Sequence, residues 1–144
     1  MLVRLTHIAL PVQDLPASSR FYQDFCGLRV IHDRGIGTHR TQWLADPSVV
    51  SGSIALVLIA GGHLAAQAAT DYRHLGFAVP SRAAVDACAA RAAALGCLAW
   101  PPREEPWPLG YYCGVADPDG QVVEFSFGQP DVRSMADGTG RALD

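Results

Sequence analysis

The chain states one plan twice. His7-Ile8-Ala9-Leu10-Pro11-Val12 heads the first half, and His74-Leu75-Gly76-Phe77-Ala78-Val79-Pro80 heads the second. Each run is followed by a capped helix and then by glycine-punctuated strands. Self-similarity at this scale constrains the fold, because both halves must satisfy a single element order.

In the first half, residues 2–12 read as an apolar, β-branched strand. Asp14 is placed to cap a helix that carries Pro16 in its first turn, brings Phe21, Tyr22 and Phe25 to one face and stops at Cys26-Gly27. Residues 28–34, 41–45 and 53–60 read as strands, the first two joined through Gly35-Ile36-Gly37. The second half follows suit, with a strand over 72–79 and Ser81 as the helix cap. Val85, Cys88, Ala92 and Leu95 define the core face of that helix, and Gly96 ends it. Strands follow over 97–100, 111–116 and 121–127, the last two joined by the tight turn Asp117-Pro118-Asp119-Gly120. The proline-rich stretch 101–108 reads as an irregular loop. The expected fold is α+β: two tandem βαβββ modules, 1–60 and 72–128, joined by a linker over 61–71 and forming a cup-shaped mixed sheet. Residues 129–144 are expected to be a loose tail.

Composition narrows the partners. Apolar residues make up 49% of the 144, charged residues 17%, and the net charge is -3, so no basic surface invites nucleic acid. No apolar run approaches the ~20 residues of a membrane span. Arg4 and Thr6 interrupt the short apolar N-terminus, which does not read as a secretory leader. Cys26, Cys88, Cys97 and Cys113 lack C-x-x-C spacing and read as buried thiols of a reducing cytoplasm, with disulfides or zinc ligation the less favoured readings.

Alternation with period two assigns the faces. Ile8 and Leu10, then Leu75, Phe77 and Val79, then Val123, Phe125 and Phe127, are directed toward the helices. His7, His74 and Glu124 take the other side, among small residues such as Ala9, Gly76 and Ala78. Two imidazoles and one carboxylate form the set that holds a divalent ion while leaving coordination positions open. Fe, Mn, Ni, Zn and Co all suit these donors. The plain alternative is a pair of hydrogen-bonded structural histidines. Glu124, on an otherwise apolar strand, needs compensation if buried.

His7-Ile8-Ala9-Leu10-x-Val12-x-Asp14, Phe21-Tyr22 with Gly27-Leu28, His74-x-Gly76-Phe77 and Asp117-Pro118-Asp119-Gly120-x-x-x-Glu124, in this order, resemble the vicinal-oxygen-chelate superfamily of glyoxalases, bleomycin-resistance proteins, extradiol dioxygenases and fosfomycin-modifying enzymes. The resemblance runs over roughly residues 3–128 and implies metal ligands at His7, His74 and Glu124. It also implies a small-molecule substrate and a homodimer, with His7 joining His74 and Glu124 within one chain or across two subunits.

Departures from the family pattern bear on the reaction. Four-ligand members carry an acidic or amide residue on the fourth strand, where the pattern places Ala55, which cannot ligate. This argues against a typical glyoxalase. Dioxygenases and fosfomycin enzymes usually carry a tyrosine at the position of Gly114. Tyr112, two residues away on the same face, is the candidate catalytic side chain. His39, Trp43, Arg103 and Trp107 are candidate substrate contacts, with Arg103-Glu104-Glu105 and Trp107 as a lid. Arg133 resembles a substrate-contacting basic residue in the tail of some relatives. The expected function is that of a metal-dependent enzyme chelating a small oxygen-rich molecule, with dioxygenase-like or lyase or transferase chemistry. The alternative is a metal-free protein that sequesters an aromatic drug on Trp43, Trp100, Trp107 and Tyr112.

Overall fold

Both halves build a four-stranded mixed sheet from the order β-α-β-β-β. The computed structural model describes residues 3–48, 54–63 and 67–130. Two units emerge, Met1–Ala66 with Pro118–Gly120, and Gln67–Asp117 with Gln121–Asp144. The expected tail, including Arg133, lies outside the described residues from position 131 onward.

The first unit comprises β1 (His7–Val12), α1 (Leu15–Asp24), β2 (Arg29–Arg34), β3 (Thr41–Ala45) and β4 (Ala55–Ala60), with a 3-10 turn at Gly37–His39. Its strand order is β1-β4-β3-β2, with β1 and β4 parallel and the other pairs antiparallel. Asp14 caps α1 by accepting the Ala17 amide at 2.9 Å, and Pro16 occupies the first turn, where no amide hydrogen is needed. Leu15, Phe21 and Tyr22 of that helix are buried, as are Val12, Leu44, Leu56 and Leu58 of the sheet.

The second unit comprises β5 (His74–Ala78), α2 (Arg82–Ala94), β6 (Leu98–Glu105), β7 (Gly110–Ala116) and β8 (Val122–Phe127), in the order β5-β8-β7-β6. Ser81 caps α2 through the Ala84 amide. Cys113 donates its thiol hydrogen to the Val85 carbonyl, so the Cys113–Phe125–Phe77 row of the sheet faces the helix.

Several expectations are corrected. The head strands begin at His7 and His74 rather than at residues 2 and 72. Their ladders with the parallel partners run from Ala55 in β4 and from Val122 in β8. The buried face of α2 is Val85, Ala89 and Ala92; Cys88 is half-buried, and Leu95, the residue that caps the helix end, is 63% exposed. The stretch expected as a loop over 101–108 is largely strand. β6 is the edge of its sheet, so Pro101 and Pro102 can lack amide hydrogens without breaking a two-sided ladder. A register shift between Trp100 and Arg103 puts one extra residue on β6 and accommodates the proline pair.

Candidate metal centre

Register decides which side chains of the second unit meet. Trp100, Gly114, Glu124 and Gly76 form one cross-strand row, and Arg103, Tyr112, Ser126 and Ala78 the next. Both rows lie on the face opposite Cys113 and α2, as the alternation predicts. His74 pairs with Val122, one step along from the Glu124 row. Gly76, directly opposite Glu124, has open space where a side chain would project, which leaves room for the imidazole to reach the carboxylate.

Glu124 is 6% exposed. Its Oε1 accepts a hydrogen bond from Gln129 Nε2 at 2.8 Å, and its Oε2 lies 3.5 Å from His74 Nε2. His74 Nδ1 is 2.7 Å from the Tyr72 carbonyl, which can only accept, so the ring hydrogen sits on Nδ1. Nε2 of the neutral ring then turns a lone pair toward a carboxylate oxygen. Two acceptors facing one another in this way call for a cation between them, either a proton on Nε2 or a metal. A nitrogen and an oxygen each ~2.1 Å from one ion, at the tetrahedral angle, sit ~3.4 Å apart. The observed spacing fits that separation.

Two of the three expected donors are therefore together. Among the described residues, no group of three or more His, Cys, Asp or Glu side chains is gathered closely enough to hold an ion. The remaining expected donor, His7, belongs to the first unit, where it is exposed on β1. Its Nδ1 lies 3.0 Å from Thr6 Oγ1, so in both histidines Nδ1 is engaged by a near neighbour in sequence.

The same pairing of imidazole with indole occurs in each unit. His7 lies 5.3 Å from the Trp43 ring, and His74 lies 5.5 Å from Trp100, edge-on. The two indoles arrive from different strands. Trp43 pairs with Val57, and Val57 with Ala9, just as Gly114 pairs with Glu124, and Glu124 with Gly76. Trp43 and Gly114 are thus equivalent, and in the second unit the indole comes from β6 instead. This register also corrects the fourth-strand slot, which is Val57 and not Ala55. Valine cannot ligate either.

Tyr112 is 6% exposed, and its phenol oxygen accepts from Arg103 Nε at 2.6 Å. Tyr111 points to the opposite side, where its hydroxyl donates to Asp86 on α2. The lid reading is corrected: Arg103 and Glu104 lie within β6, and Glu104 is held by Arg82 of α2. Trp107 is 62% exposed in the turn after β6, and His39 is exposed in the 3-10 turn. A cavity of about 490 Å³ in the first unit, lined by Gln13, Asp14, Thr38 and Arg40 among others, includes none of the expected site residues. Sequence reasoning placed Trp100 only among the aromatics that could stack a drug, not beside His74, and missed Gln129. The first is signalled only by its register opposite Gly114, the second by no local pattern.

Residues 4–125 match the family model of the Glyoxalase/Bleomycin resistance protein/Dioxygenase superfamily. The chain belongs to this superfamily. A fellow protein, the uncharacterized PA2024 of Pseudomonas aeruginosa, is 53% identical over 126 residues, covering 88% of this chain and 89% of the relative. A glyoxylase/bleomycin resistance protein/dioxygenase domain from Frankia sp. EAN1pec is similar with a TM-score of 0.65 and 26% identity, over 87% of this chain and 97% of that one. A mutant fosfomycin resistance protein, FosX, from Listeria monocytogenes, complexed with Mn(II) and 1S,2S-dihydroxypropylphosphonic acid, shares the fold. Its TM-score is 0.69 at 22% identity, over 90% of this chain and 92% of that chain. No helix among the described residues is long and apolar enough to cross a membrane.

Proposed function

We propose that this superfamily member is a metal-dependent enzyme acting on a small molecule that presents two adjacent oxygens to one divalent ion held by His7, His74 and Glu124. The observation that carries the reading is the His74–Glu124 pair, an imidazole nitrogen 3.5 Å from a buried carboxylate oxygen with Nδ1 engaged by the Tyr72 carbonyl. His7 completes the donor set from the same chain or from the second copy in a homodimer. A reducing, cytoplasmic setting belongs to the same reading, since the four cysteines show no C-x-x-C spacing.

A divalent ion bound there would supply Lewis acidity, stabilising negative charge as it develops on a substrate oxygen. The chain's own residues do the rest. Glu124 brings the anionic charge that favours a cation, and the Tyr72 carbonyl holds the His74 ring in one tautomer. Trp100 packs edge-on against His74 and limits how its ring can turn. Tyr112 uses its oxygen as an acceptor for Arg103, which leaves its O–H directed elsewhere, available to donate a proton to substrate. Its row is one register step, ~6.8 Å, from Glu124. This donor set serves dioxygenase-like and lyase or transferase chemistries alike.

The test is elemental analysis of protein purified without chelator, then titration with Mn(II), the ion held by the Listeria neighbour. Stoichiometric binding that His74→Ala abolishes supports the reading, and no binding overturns it. Catechols, epoxides with thiols, and hemithioacetals would then be screened as substrates. A second reading, drug sequestration without metal, draws support from the indoles beside both histidines. It requires that a planar drug quench tryptophan fluorescence equally in chelator-treated wild type and in His74→Ala.

A further inference from the structure

We infer that Gln129 is a positioning residue that makes Glu124 a single-oxygen ligand, an inference that rests on the metal reading above. A carboxylate can bind an ion through one oxygen or two. Here the Gln129 amide claims Oε1 at 2.8 Å, and Oε2 alone is left facing His74 Nε2.

The backbone is shaped to bring that amide there. Along an extended strand, residues five apart point to opposite faces and lie ~17 Å from each other. Gln129 nevertheless reaches Glu124, because β8 ends at Phe127 and Gly128, at φ +85°, breaks the extended course of the chain. That φ is one L side chains rarely adopt. Gly110 on β7 leaves room for this bend: a Cβ there would stand 2.5 Å from the Phe127 carbonyl oxygen and 3.3 Å from the Gln129 nitrogen. A glycine on β7 and another just past the end of β8 thus permit one side-chain contact, and that contact is with the carboxylate beside His74.

A fixed carboxylate loses little freedom when an ion binds, and its second oxygen does not compete for a coordination position. Loss of such an outer partner typically costs about 10–100-fold in metal affinity. The experiment is Mn(II) titration of the full chain, read by the resonance signal of free Mn(II), for wild type, Gln129→Ala and Gln129→Met. Methionine keeps nearly the same length and volume but has no hydrogen to donate. Both variants are expected to bind Mn(II) about 10–100-fold more weakly, with metal-free melting midpoints lowered alike, since each leaves the buried Glu124 Oε1 without this donor. A residue that merely packs would leave the Met variant's affinity intact. Should Gln129→Ala fail to fold, Gln129→Met decides. Wild-type affinity in Gln129→Met overturns the inference while the metal reading stands; no Mn(II) binding by wild type overturns both.

Discussion

The indole of Trp100 lies across Gly114, its partner on the neighbouring strand, so closely that a Cβ at position 114 would stand 2.6 Å from the ring. The glycine that stands where the family resemblance leads one to expect tyrosine is what the tryptophan requires. The same indole meets His74 edge-on, so one aromatic side chain fills the glycine's space and flanks the candidate metal donor.

Gly114→Ala should therefore displace the indole and destabilise the fold by ~1–3 kcal/mol, the usual cost of an overpacked contact. Urea unfolding monitored by tryptophan fluorescence measures both effects. In the Trp100→Ala background the same substitution should cost much less, since the clashing ring is gone; equal costs in the two backgrounds would show that the contact is not what excludes a side chain at 114.

His74→Ala should reduce Mn(II) affinity by more than the ~10–100-fold expected of an outer partner, because a donor itself is removed. Metal-free stability should move by less than ~0.5 kcal/mol, as for other exposed substitutions. Calorimetric titration and thermal melting separate the two. A large fall in metal-free stability would instead mark His74 as a structural histidine.

Cys113 should be the last thiol to react. Burial, with some contribution from nearby Cys88, Asp86 and Glu124, pushes its pKa up to about 12, and the thiolate is the reactive form. Its hydrogen is also donated to the Val85 carbonyl. Alkylation of the native protein followed by mass mapping should leave Cys113 unmodified, and urea should expose it. Early native labelling at Cys113 would contradict its burial on the helix face.

Asp33 should impose a small acid-side dependence of stability. Hydrogen bonds from Arg40 first, then Gln42, pull its carboxyl from 3.8 to about 2. A folded-state value below the unfolded one means the stabilisation is present above the unfolded value of about 4 and is lost as pH falls through about 2. The group is exposed, so the effect is modest and weakened by salt. Melting midpoints of wild type and Asp33→Asn should differ at about pH 6 and converge toward about pH 2; a constant gap would rule out the carboxylate as the cause.

How much of this was legible in the chain follows from the range over which each feature is encoded. Caps and faces are local. Asp14 and Ser81 announce their helices, and alternation with period two puts Glu124 on the face opposite Phe125. The duplication alone implies two βαβββ units. Register, edges and strand breaks are not local. Whether Pro101 and Pro102 interrupt a strand depends on β6 having a neighbour on only one side. The residue opposite Ala9 is Val57 rather than Ala55 because pairing begins at His7. Gln129 meets Glu124 because a glycine in the left-handed region breaks the extended course of the chain just before it. Sequence by itself determined the element order and the side of the sheet each candidate donor occupies, since both repeat every two or four residues. Tertiary structure alone decided which side chains touch, because contact depends on strand offset and on where a strand breaks off, and neither leaves a periodic trace.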